Sequence, residues 1–151
     1  MNYTITEGQF GQRPNVDLPN PKVLESLGEE GMREMINNHY ELLVETQIKG
    51  LFPPTKEGLD AAKRHAADFF IQICGGPRYF DKSRGAPRMV ARHSPFRIDS
   101  NARIIWLENF AKVIEQTNLD EELKRSFWNY IDIFSIWMVN SSDTPQGVFK
   151  V

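Results

Sequence analysis

Gly75-Gly76-Pro77, Pro87 and Pro95 cut the centre of this 151-residue chain into pieces that only short helices and turns can occupy. The first group stops any helix that reaches it. Pro87 is tolerable only in the first turn of a helix, and Pro95 pushes Ser94 out of helical geometry. A short helical piece from Pro87 to Arg92 therefore delivers His93 at its end. A histidine held in that way is presented rather than packed away.

On both sides of this stretch apolar residues recur at steps of three and four, the period of a helix with one buried face. Val23, Leu24 and Leu27 form a short first segment, with Gly28 and Gly31 as punctuation. Met32, Met35, Ile36, Tyr40, Leu43 and Val44 predict a longer helix ending near Lys49-Gly50. Leu51-Phe52-Pro53-Pro54 is a corner, because two prolines cannot continue a helix. Thr55 can cap the next helix, whose stripe is Leu59, Ala62, Ala66, Phe69, Phe70 and Ile73. Beyond the central breakers, Asp99 or Ser100 caps a helix through Ile105, Trp106, Phe110, Val113 and Ile114. Asn118 and Glu121 have the spacing of a capping box, followed by Leu123, Phe127, Ile131, Phe134 and Met138. Trp128 and Trp137 on that last helix read as core, and an exposed one would mark a homodimer face. No segment alternates apolar and polar residues as a half-buried strand does, so the fold class is all-α.

The length suits one domain with a sizeable core. Its divisions are an arm over 1–21 broken by Pro14, Pro19 and Pro21, a helical domain over 22–140, and a polar tail over 141–151. The single cysteine, Cys74, rules out an intrachain disulfide and a cysteine zinc site. The amino end lacks a secretory pattern and no apolar run approaches a membrane span, so a cytoplasmic protein is expected. The net charge of −2 argues against a nucleic-acid binder. Yet Arg78 to Arg103 holds seven basic residues against two acidic ones, with Arg84, Arg88 and Arg92 four apart, and so predicts a small anionic partner.

Taken in order, GGPRYF at Gly75, RGAPRMVARHSPF from Arg84 to Phe96, and Trp106 thirteen residues after His93 form a long and specific set. It resembles the second group of truncated, two-over-two haemoglobins, with weaker similarity over roughly 23–140. The resemblance implies a globin-like helical sandwich around haem b, with His93 as the proximal iron ligand. Around the haem it places Phe52 flat on the macrocycle, Phe69, Met89 and Phe96 in the pocket, and Arg92 beside the propionates, with His65 or Arg64 reaching the mouth. On the distal side it places Tyr40, Trp106, Ala62 and Ala66. Alanine cannot donate a hydrogen bond, so any donor to a gas ligand must come from Tyr40 or Trp106. The spacing from Tyr40 to Phe52 leaves His39 as the alternative for the distal position.

For function, the resemblance implies reversible binding of dioxygen, carbon monoxide and nitric oxide at a histidine-ligated iron, a chemistry that serves oxygen transport, storage, sensing or scavenging alike. Its competitor is haem redox chemistry, nitric oxide dioxygenation or peroxide reduction, which needs a separate reductase because no flavin or nicotinamide motif is present. Both monomer and homodimer are compatible with the sequence.

Overall fold

The computed structural model describes residues 1–143; of the tail expected over 141–151, residues 144–151 lie outside them. Six α-helices follow one another: α1 (Lys22–Leu43), α2 (Lys56–Ile73), α3 (Tyr79–Arg84), α4 (Met89–His93), α5 (Ser100–Glu115) and α6 (Glu121–Met138). A 3₁₀ turn, Lys49–Leu51, stands at the corner before the two prolines. The described residues contain no strand.

The long helices make two layers: α1 packs on α2, α5 packs on α6, and α1 crosses onto α5 and α6. Met32, Ile36, Ile71, Leu107, Phe110, Phe127 and Ile131 are completely enclosed between them. At the centre Phe70, Phe110 and Phe127 form a triangle of rings 5.5 to 5.8 Å apart. Such aromatic contacts add to the area each ring buries. The breakers leave α3 and α4 as short pieces beside these layers, with α3 held on α2 and α4 on α6.

Local chemistry moved three expected boundaries. The first segment and the second helix are one element, α1, kinked at Gly28, whose φ of 72° and ψ of 168° suit glycine alone. That helix ends at Leu43, well before Lys49-Gly50, because the Thr46 hydroxyl donates to the Leu43 carbonyl at 2.7 Å and takes the place of the next turn. The last helix is capped by Asp120, whose side chain accepts from the Leu123 N–H at 2.9 Å, and not by the Asn118 capping box. Leu119, just before this cap, is buried. Thr55 and Asp99 cap α2 and α5, accepting from Gly58 and Ala102.

The arm is draped along α5 and α6. Trp128 Nε1 donates to the Thr4 carbonyl at 2.9 Å and Trp137 Nε1 to the Pro14 carbonyl at 2.8 Å. Trp128 is buried and Trp137 lies partly beneath Arg13, so neither tryptophan offers an open face. The arm also closes a buried ion pair. Arg103, only 4% exposed, donates to Asp132 Oδ1 at 2.8 Å, to Ser135 Oγ at 2.8 Å and to the Thr6 carbonyl at 2.7 Å. Both Asp132 oxygens also accept from Thr6.

Candidate functional site

His93 closes α4 behind an unusual start. Arg88, just before Met89, is the one non-glycine residue among those described with a positive φ, 42°. That left-handed turn sets the direction of a helix too short to stand alone. His93 Nδ1 lies 2.7 Å from the Met89 carbonyl. A carbonyl can only accept, so Nδ1 carries the proton and Nε2 keeps its lone pair. Burial lowers the His93 pKa, opposed by the Met89 bond, which favours the neutral ring that ligates a metal.

The loop after His93 is pinned by Asn140, a residue that the sequence pattern gave no reason to choose. Its Nδ2 donates to the carbonyls of His93 at 3.2 Å and Phe96 at 2.8 Å, and its Oδ1 accepts from Ile98 N–H at 2.9 Å. The residues just past α6 therefore belong to the site's frame. Phe96, expected against haem, sits at this corner 45% exposed. Met89 is half-buried and contributes its carbonyl, whereas Phe69 is buried against Phe70, Phe80 and Phe134.

Arg92 acts first on its own loop. Nε donates to the Pro87 carbonyl at 2.6 Å, and Nη2 to those of Arg84 at 2.7 Å and Ala86 at 3.0 Å, with the guanidinium over the Phe80 ring. Nη1 has no bond among the described residues. The four-residue spacing of Arg84, Arg88 and Arg92 does not make one cationic face, because Arg84 ends α3 and Arg88 precedes α4. Arg103, counted with that basic run, is committed to Asp132; Arg78 pairs with Asp81 and Arg97 with Asp99. Of the remainder, Arg84 and Arg92 act together with Arg64 on His65. Its pKa is lowered by burial and by the nearby charges of Arg84, Arg64 and Arg92, against Asp68. His65 Nδ1 is the one buried side-chain polar atom among the described residues without a hydrogen-bond partner. A buried orphan of this kind calls for a partner from outside the chain.

Tyr40 and Trp106 come from α1 and α5. Tyr40 packs edge-on against Phe52, ring centroids 5.4 Å apart. Its hydroxyl has no partner among the described residues, and burial raises its pKa to about 12. Ala62 and Ala66 are half-buried on α2, where a larger residue would fill space. His39, the alternative to Tyr40, is turned into the core instead. It is 1% exposed, stacked on Phe110 at 3.8 Å, with Nε2 3.0 Å from the Trp106 carbonyl.

His93 lines neither of two surface clefts, one formed by Gln47, Leu51, Arg97 and Asn101 and the other by Val16, Arg125 and Asn129. No helix among the described residues is long and apolar enough to cross a membrane.

A two-layer helical sandwich presenting a neutral histidine from a short helix after a Gly-Gly-Pro break defines a globin of the abbreviated kind. The chain belongs to the bacterial-like globins, whose family pattern matches residues 22–140, and within them to the group II truncated haemoglobins. Group 2 truncated hemoglobin YjbI of Bacillus subtilis (strain 168) is 26% identical over 123 residues, spanning 81% of this chain and 91% of that protein. The crystal structure of phosphate-bound Hell's gate globin IV matches with a TM-score of 0.84 and 36% identity, over 93% of this chain and 89% of that one. The truncated oxygen-avid haemoglobin from Bacillus subtilis matches with a TM-score of 0.73 and 26% identity, over 78% of this chain and 98% of that one.

This family implies haem, and the donor set fits it. One neutral imidazole offers a bare Nε2, three arginines gather around a histidine with an orphaned ring nitrogen, and aromatic residues stand near.

Proposed function

We propose that the chain binds haem b and uses it to bind dioxygen, carbon monoxide and nitric oxide reversibly. The observation that carries this reading is the His93 ring, with Nδ1 committed to the Met89 carbonyl and Nε2 left as a ligand. When bound, haem supplies an iron with an open position for diatomic gases. His93 holds the iron, and its bond to Met89 fixes the ring orientation and raises its basicity. Arg64, His65, Arg84 and the free Nη1 of Arg92 are the cations and donors for the propionates. Phe52, Phe69, Met89 and Phe96 supply apolar surface; Ala62 and Ala66 leave room for a gas. The Tyr40 hydroxyl and the Trp106 indole N–H donate to the gas and favour one that carries partial negative charge. No described residue bonds the Tyr40 hydroxyl, so the donor is free to serve the ligand. The oxygen-avid Bacillus subtilis relative supports gas binding over other uses of the pocket.

The test is the visible spectrum of the purified protein, oxidised, reduced, and reduced under carbon monoxide or dioxygen. A Soret band that moves at each step is expected, and His93→Ala should abolish tight haem binding. A protein that stays colourless after haem supplementation refutes the reading.

A further inference from the structure

Tyr40 and Trp106 sit on different helices, so their two donors can converge only if α1 and α5 are locked in register at this level. One side chain does this. His39 precedes Tyr40 on α1 and points about a quarter-turn away from it, into α5. Its Nε2 meets the Trp106 carbonyl at 3.0 Å, and the acceptor there obliges that nitrogen to carry the proton. A carbonyl has a second lone pair, so this bond adds to the helical ladder without breaking it.

The ring contacts fix the remaining freedom. His39 stacks on Phe110 with an interplanar angle of 30° and centroids 3.8 Å apart. It meets Trp106 edge-on at 5.3 Å and Tyr40 edge-on at 6.3 Å. Trp106 is in turn edge-on to Phe110 at 5.0 Å. One imidazole thus touches both donor residues and the phenyl ring behind one of them.

We propose that His39 is the positioning residue of the distal pair, setting the separation between the Tyr40 hydroxyl and the Trp106 indole N–H. It acts through those two residues and does not itself touch the gas. The inference rests on the haem and gas-binding reading above. Its structural requirement is an N–H donor at the Nε2 position together with a flat body against Phe110. Phenylalanine keeps only the second and glutamine keeps the first.

The experiment is the infrared C–O stretch of the carbonmonoxy, haem-containing protein, because that frequency falls as donors approach the ligand. Tyr40→Phe and Trp106→Phe are the references, and each should raise the frequency. His39→Phe should move the band the same way and speed dioxygen release about tenfold, the equivalent of one net hydrogen bond. His39→Gln, which keeps the donor, should bring the band part of the way back toward the wild-type position. If the references shift and His39→Phe does not, His39 is only a core residue and this inference falls while the gas-binding reading stands. If neither reference shifts, or no haem binds, the distal assignment itself is wrong and the inference falls with it. Should His39→Phe fail to fold, nitrogen NMR of the wild-type imidazole decides: a proton on Nε2 supports the tie to Trp106, and a proton on Nδ1 alone overturns it.

Discussion

Replacing Asp132 by alanine removes one carboxylate and strands one cation. Asp132 Oδ1 accepts from Arg103 Nη2 at 2.8 Å and from the Thr6 N–H at 2.9 Å, and Oδ2 accepts from the Thr6 hydroxyl at 2.7 Å. Arg103 is 4% exposed, so its charge has no water to fall back on. Burial already lowers the Arg103 pKa, and Asp132 is the group that opposes this. The surviving acceptors, Ser135 Oγ and the Thr6 and Asp132 carbonyls, are neutral. Removing one partner of a buried pair costs about 3–5 kcal/mol, most of it the uncompensated charge. For a domain of this size each kcal/mol is worth roughly 2–4 °C, so Tm should fall by roughly 6–20 °C. The assay is a thermal or urea melt of Asp132→Ala beside Asp132→Ala/Arg103→Met. If the stranded charge is the cause, the double variant regains most of the loss, because methionine fills the guanidinium's stem volume without its charge. A double variant as unstable as Asp132→Ala, or more so, refutes this account and returns the cost to lost packing or to release of the arm.

Four further outcomes are expected. Burial pulls the His39 pKa from 6.5 to about 3, so the unfolded chain binds the proton more readily; stability present above the unfolded value is lost as pH falls toward the folded one. Between pH ~7.5 and ~5 this one group removes about 2 kcal/mol, and urea curves should show His39→Phe spared that loss; equal pH slopes would mean the ring is not buried neutral. Asn140→Ala breaks three hydrogen bonds around the residue 93–98 corner and should cost about 1–3 kcal/mol, with faster haem transfer to a competing apoglobin as the accompanying readout. Gly28→Ala meets no atom within 4 Å but imposes a side chain on a glycine-only conformation, so a melt should report a loss of about 1–3 kcal/mol. Tyr40→Phe removes a hydroxyl that no described residue bonds; it should leave Tm nearly unchanged while dioxygen dissociation accelerates in stopped-flow.

The helices were legible because each stripe is long and periodic, and because Thr55 and Asp99 are caps whose oxygen reaches the third N–H by local geometry. The class of protein was legible in the ordered breakers and His93. Boundaries failed where two local chemistries competed, as at Thr46, which ends α1 early, and Asp120, which outcompetes Asn118. Basic charge was the poorest guide, since spacing along the chain says nothing of direction once glycine and proline have broken the helix. Arg84, Arg88 and Arg92 look like one face in sequence and belong to three different local geometries. Asn140 and His39 went unread as frame residues for a related reason. Their partners are carbonyls 47 and 67 positions away, and a carbonyl leaves no trace in the identity of its residue.

The draped arm has a consequence for the order in which the molecule is assembled. Thr6 and Asp132 are 126 positions apart, and Thr4 and Trp128 are 124 apart. During synthesis at ~5–20 residues per second, roughly 6–25 s separate the emergence of the strap from that of the helix that receives it. Helices α1, α2 and α5 can pair in that interval through nearer contacts, which form first. The arm, made well before α6, is therefore among the last parts to be seated, and Arg103 waits for both the carboxylate of α6 and the carbonyl of Thr6 before its charge is enclosed.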